Sequence, residues 1–320
     1  MKNKSIFRLL GTLLVGISLS FASVAIYASD DVKLILLGTK GGPSIAEDKR
    51  LPQSATLMIG DDIYMIDAGY GASLRLVQAG AKLTDLKGIF ITHLHADHVL
   101  DYPSLLMNSW ATGLKDEVSV YGPEGTRYMT DSLWEAFKVD IDLRIPDEGK
   151  PDIRKLVKVQ EIQEDNVCDC DGGKLKVSAL PVPHPPFKFG QAFAYKFEVG
   201  GKVIVMTGDM NYYPPFEKFA KDADVLVSEV VNVPAVEALA ERLGGGDKFA
   251  HAIISHHITG QDVGRMASAA NVKKVVLTHF VPANDPSLTD TVWRDSVKQN
   301  YDGPVVVGHD GMKIDIIKRL

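Results

Sequence analysis

The nine residues Ile91–Val99, ITHLHADHV, constrain this chain more than any other stretch. Three of its 9 histidines and a carboxylate fall together there, directly after the apolar run Gly88-Ile89-Phe90-Ile91. In an extended segment alternate side chains face the same way, so His93 and His95 project together from the end of a strand. If the chain turns into a helix at Asp97, then Asp97 and His98 face a second point close by. Imidazole and carboxylate are ligands suited to zinc, iron or manganese. The spacing predicts two adjacent metals.

Two metals need more ligands, and the other histidines show where to look. His184 stands just past the apolar run KLKVSALPV, Asp209 ends VIVMTGD, and His279 ends VVLTH. Each follows an apolar run, as His93 does, and strand ends along one edge of a sheet are where α/β proteins collect ligands.

β-branched runs alternate with helical stretches along the whole chain. VKLILLG (32–38), ATLMIG (55–60) and IYMIDAG (63–69) read as early strands joined by Gly/Asp turns. GIFITH and EVSVYGP read as further strands. KLKVSALPV, AFAYKFEVGGKVIVMTGD, DVLVSEVV and KKVVLTHF supply the later ones. Helical spacing marks GASLRLVQAG, EGTRYMTDSLWEAF, PAVEALAERLG and GQDVGRMASAA, and a strand pair at GPVVVG and MKIDII closes the chain. This order predicts two sheets packed face to face with helices outside, an α/β sandwich in one domain.

The residues resemble the metallo-β-lactamase superfamily, whose pattern is His-x-His-x-Asp-His followed by a His, an Asp and a His at strand ends. The resemblance runs over nearly all of residues 29–320, from LGTKGGP through IDAG to the last histidine. It implies a four-layer αββα sandwich holding two divalent ions, zinc before manganese or iron. His93, His95 and His184 would hold one ion, and Asp97, His98 and His279 the other. Asp209 would bridge them, and Asp67 would brace the site from below. SHHITGQDVGRMASAANVKKVVLTHF, DVLVSEVV and VYGPEGTRYM resemble the ribonuclease Z and arylsulfatase-like branch, with Ser228 where that branch usually has a His. By this resemblance Asp97, His257 and Glu229 are the candidate catalytic residues. His257, oriented by Glu229, would protonate the leaving group, with His256 as the alternative should the helix start earlier. His251 reads as a neighbour and His309 as a turn residue.

Two divalent ions roughly 3.5–4 Å apart bind one water between them and turn it into a hydroxide near neutral pH, able to attack phosphorus, sulfur or carbonyl carbon. Composition then steers the choice of ester. Lys2, Lys4 and Arg8 precede LLGTLLVGISLSFASVAIYA, the pattern of a secretory signal over residues 1–28, cleaved after Ala25 or Ala28. Its removal leaves a net charge of −9, which does not supply the Lys/Arg excess that non-specific phosphate binding needs. Only twenty-four residues separate His184 from Asp209, where bacterial members of the ribonuclease Z type commonly carry a long RNA-binding arm.

The expectation is therefore an exported, periplasmic or secreted hydrolase of small sulfate or phosphate esters. Nucleic acid is an unlikely partner on this reading, the membrane is left behind after cleavage, and a homodimer is open. The alternatives are a lactonase or other carboxylic-ester hydrolase, a ribonuclease Z-like nuclease, or a non-catalytic metal- or ligand-binding protein. Cys168 and Cys170 read as a surface turn or a local disulfide, and Trp110, Phe187 and Phe189 as either a pocket mouth or core.

Overall fold

The computed structural model describes residues 31–45, 50–163 and 165–318. The segment read as an export signal, residues 1–28, lies outside the described residues. The early strands are β1 (Val32–Gly38), β2 (Ser54–Ile59), β3 (Asp62–Ala68), β4 (Leu86–Phe90), β5 (Val118–Gly122) and β6 (Val157–Glu161). The later ones are β7 (Asp165–Cys170), β8 (Leu175–Pro181), β9 (Phe193–Val199), β10 (Lys202–Met206), β11 (Val225–Val231), β12 (Val275–Val281), β13 (Val305–Val307) and β14 (Lys313–Ile317). They form two seven-stranded sheets, ordered β14-β1-β2-β3-β4-β5-β6 and β13-β12-β11-β10-β9-β8-β7.

The central strands of each sheet are buried on both faces, which is why they read as unbroken apolar runs. In β1, Leu34 and Leu36 face the second sheet, in a core with Phe90, Phe193, Tyr195 and Phe197. Ile35 and Leu37 face the other way, onto a helical layer carrying Leu76, Leu105, Leu106 and Trp110. The second sheet likewise turns Leu226, Val230 and Leu277 toward helices carrying Phe216, Val263, Met266 and Trp293. The layers are helix, sheet, sheet, helix: the αββα sandwich. Phe90 ties the two sheets together, with its ring 5.1 Å from Tyr121, 5.6 Å from Tyr195 and 5.3 Å from Phe197.

β3 through β6 run parallel, as do β10 through β13. Their carboxyl ends carry the histidine- and aspartate-bearing loops. β9 and β10 make a tight hairpin over Gly200 and Gly201, both at positive φ (54° and 76°), the conformation that two-residue hairpin turns require.

One local reading is corrected. The last two strands exist but do not pair: β13 extends the second sheet beside β12, and β14 covers the free edge of β1 in the first. The turn at His309–Gly311 thus crosses between sheets, because each strand satisfies a different unpaired edge. Trp110 is core and not a pocket wall, 1% exposed with its indole N–H donated to the Pro151 carbonyl. The helix Gly246–His256 has no clear sequence signature, since two glycines precede it, a third opens it, and its apolar residues are interrupted by histidines. Cys168 and Cys170 are joined in a disulfide across a separation of 2 on the edge strand β7.

Removing the Phe90 ring opens a cavity between the sheets beside the histidine loop. Phe90→Ala should lose about 3–5 kcal/mol of stability, read as a lower denaturant midpoint at unchanged slope. Phe90→Leu should lose clearly less.

Candidate metal centre

The centre is built where the chain leaves its strands. β4 ends at Phe90, the backbone stays extended through His95 (φ −66°, ψ 147°), and Ala96–Val99 turns as a single helical turn burying Asp97 and His98. His184 follows β8, Asp209 follows β10, and His279 sits near the end of β12. Gly208 has φ 59°, and a side chain there would place Cβ 2.7 Å from the Phe193 carbonyl oxygen. Only glycine allows the chain to swing Asp209 inward. Asp67 and His279 accept the same left-handed region at φ 58° and 43°, a strain non-glycine residues hold mainly where surrounding contacts enforce it.

All the histidines and aspartates singled out by pattern converge. His95 Nδ1 lies 3.0 Å from His93 Nε2 and 3.1 Å from His184 Nε2. On the other side, His279 Nε2 lies 3.3 Å from both His98 Nε2 and Asp97 Oδ2. Asp209 Oδ2 stands between the two groups, 3.8 and 3.9 Å from His93 and His184, and 3.4 and 3.2 Å from His98 and His279. A tetrahedral zinc about 2.0–2.1 Å from each nitrogen spaces its ligands by roughly 3.3 Å, close to these separations. The other Asp209 oxygen, Oδ1, is buried and accepts no hydrogen bond among the described residues. A buried carboxylate left so is costly unless a cation compensates it. The residues present therefore fit a pair of divalent ions.

A further layer of contacts holds the rings in place. His98 Nδ1 lies 2.8 Å from Asp67 Oδ2, and His184 Nδ1 donates to the His256 carbonyl at 2.9 Å. Thr92 donates its amide and hydroxyl to Asp67, and the hydroxyl lies 3.0 Å from His93 Nδ1. The Gly42 amide donates to Asp97 Oδ2 at 2.8 Å. Such partners fix ring orientation and leave the inward nitrogen free as a donor. Thr92 lies within the histidine motif. The Gly42 amide is a backbone group with no side-chain signature, so pattern reading passes over it.

Burial pushes His93 and His95 down, and His184 down to about 3, with Asp209 only partly offsetting it. Those three rings are neutral, with lone pairs available. For His98 burial acts in the same sense, but Asp209, Asp67 and Asp97 outweigh it and hold the ring well above the usual range. Asp209 is the mirror case: burial raises it, and the charges of His279 and His98 bring it well below the carboxylate norm.

Glu229 and His257 form a second group. His257 Nδ1 lies 2.6 Å from Glu229 Oε2, and the Met210 amide donates to Oε1. Burial lowers His257, yet the Glu229 charge and hydrogen bond push it up to about 9. Asp209, Glu229, His257 and His279 also approach closely enough to suggest a metal group. The Glu229 oxygens and His257 Nδ1 are spent on each other and on Met210, however, so Asp97, His98, His279 and Asp209 make the better second set. His257 closes the helix Gly246–His256 as its extended C-cap, with its side chain 12% exposed. His256 offers a carbonyl rather than its ring, and His251 and His309 are exposed and apart from the cluster.

Divalent ions held by these residues would supply Lewis acidity and activate a water near neutral pH. Metal-loaded protein should hold about two divalent ions per chain by elemental analysis. Chelation should lower the thermal midpoint, because the buried carboxylates lose their counter-charge. Asp209→Ala should weaken both sites, and unchanged content in that variant would count against a shared bridge.

A beta-lactamase superfamily domain model matches residues 63–280. Ribonuclease Z of Mycobacterium marinum is 26% identical over 291 residues, covering 90% of this chain and 100% of that protein. The metallo-beta-lactamase fold protein YhfI from Bacillus subtilis superposes with a TM-score of 0.64 at 20% identity, covering 89% of this chain and 100% of that one. The short form of human tRNase Z does so at 0.63 and 21%, again covering 89% and 100%. These relatives overturn the expectation that nucleic acid is an unlikely partner. A net charge is an average over the whole surface and does not exclude a local binding face. With the family model spanning most of the chain and the sandwich and its histidine cluster in place, the chain belongs to the beta-lactamase superfamily as a metal-dependent hydrolase.

Proposed function

We propose that the protein is a dinuclear-metal phosphodiesterase of the ribonuclease Z type, acting on RNA. The observation that carries this is the Glu229–His257 pair beside the metal cluster, at 2.6 Å and with one imidazole nitrogen uncommitted to Glu229. An RNA alkoxide is a strongly basic leaving group and gains from a proton donor held in place. Asp97, His98, His279 and Asp209 would hold one ion, and His93, His95, His184 and Asp209 the other. Zinc suits a donor set dominated by imidazole. His257 would give its Nε2 proton to the departing oxygen, with Glu229 holding Nδ1 and stabilising the charged ring.

Similarity to proteins named ribonuclease Z supports this over the sulfate-ester reading. The shortness of the His184–Asp209 segment is a weak objection, since the M. marinum relative is matched over its whole length. Export stays part of the proposal: the basic start and apolar stretch of residues 1–28 support it, and an exported enzyme of this kind would meet RNA fragments. Mass spectrometry of protein from the cell envelope should find residues 1–28 absent, and an intact Met1 in a cytoplasmic pool would reject export.

His257→Ala should keep two metals while slowing turnover roughly 10²–10⁴-fold. The loss should be greatest for RNA and alkyl esters and least for nitrophenyl esters, whose phenolate leaves unaided. Glu229→Gln should follow the same trend more weakly. Equal losses across the leaving groups, or loss of one metal, would remove His257 from the proton-donor role.

A further inference from the structure

The loops that follow His184 and Asp209 carry three aromatic rings, Phe187 against the ligand histidines, Tyr213 partly packed on the core, and Phe189 beyond both. The Phe187 amide donates to the His184 carbonyl, and the Gln191 amide donates to that of Lys188, so the first loop is two successive turns. The first turn lays Phe187 against the ligand rings, 4.6 Å from His95 and 5.5 Å from His93. The second throws Phe189 outward, 63% exposed. The Asn211 amide donates to the Pro183 carbonyl at 2.9 Å and locks the Asp209 loop alongside. Tyr213, from that second loop, sets its ring 6.0 Å from Phe189 at an interplanar angle of 63°. Lys188, between the two phenylalanines, is exposed as well.

An exposed phenylalanine gains little from burial, and others occur on this surface, such as Phe137 and Phe249. The position of Phe189 sets it apart: it stands on a loop that carries a candidate ligand, paired with a ring from a second such loop. We infer that Phe189, braced edge-on by Tyr213, forms a stacking platform for a nucleobase next to the phosphodiester at the metal centre, with Lys188 facing the phosphate chain. Rings of this kind hold bases of any identity, since every base offers a flat face, while sequence-independent charge holds the backbone. The platform selects unpaired RNA, because a base inside a duplex has no free face to offer. This inference rests on the proposed action on RNA and names the part of the substrate recognised.

The test uses the zinc-loaded full chain and two short single-stranded RNAs. One carries 2-aminopurine beside the cleaved bond, and the other carries an abasic ribose there. Binding is read by aminopurine fluorescence and by competition, and cleavage separately on a gel. The base-bearing RNA should bind about 5- to 100-fold more tightly than the abasic one. Phe189→Ala should erase that preference by raising KM for the base-bearing RNA toward that of the abasic one. Phe189→Trp should restore it. Tyr213→Ala should act like Phe189→Ala, and should it fail to fold, the exposed Phe189 decides the matter alone. Equal binding of the two RNAs, or a preference that survives Phe189→Ala, overturns the platform. RNA that is cut without regard to the base removes the platform alone. Base-dependent binding without cleavage removes the nuclease reading alone.

Discussion

The structure turns on one electrostatic problem: Asp67, Asp97, Asp209 and Glu229 are all buried between the ends of two apolar sheets, each at most 5% exposed. Carboxylates in such a place are severely penalised unless charge and hydrogen bonds surround them. The chain meets that demand in layers. Asp67 accepts from Thr92 and His98 and Asp97 from Gly42, whereas Asp209 faces imidazoles on both sides and keeps one oxygen without a partner. Asp209 is the carboxylate placed where two cations could share it. The neutral His93, His95 and His184 and the carboxylate-flanked His98 give its two sides different characters.

The sandwich makes that arrangement possible. Parallel strands in both sheets end at the same edge, so loops from distant parts of the sequence meet without long excursions. The glycine at 208 and the left-handed Asp67 and His279 stand at strand ends. Strain of about 1–3 kcal/mol per residue is tolerable there because the packed sheets behind cannot relax. The same rigidity explains why Phe90, a pure packing residue, lies within the chain's path to His93.

Much of this was legible in the residues themselves, for identifiable reasons. Ligand side chains leave a dense and rare signature, and two-sided burial leaves apolar runs too long for a surface sheet. Partnering left no such trace. Val305–Val307 and Lys313–Ile317 are strands by composition, yet nothing local says which free edge each will meet. The helix Gly246–His256 forms through packing on its neighbour Val233–Leu243, so its weak propensity pattern hid it. Gly42 takes part through its amide, which no side-chain pattern reveals. Net charge misdirected the reading of partners because it sums over residues that never approach the site.

The separation of Glu229–His257 from the metal ligands has its own logic. In the proposed mechanism a charged imidazole protonates the leaving alkoxide, and a metal ion on His257 would hold that ring in its neutral, less acidic form. Glu229 prevents this by occupying Nδ1, and its second oxygen is tied to the Met210 amide, one residue after Asp209. The carboxylate paired with His257 is thus fixed to the backbone that presents Asp209. On the proposed roles, metal spacing and proton delivery would be linked through that single backbone hydrogen bond, and the two functions would stay in register without sharing a ligand.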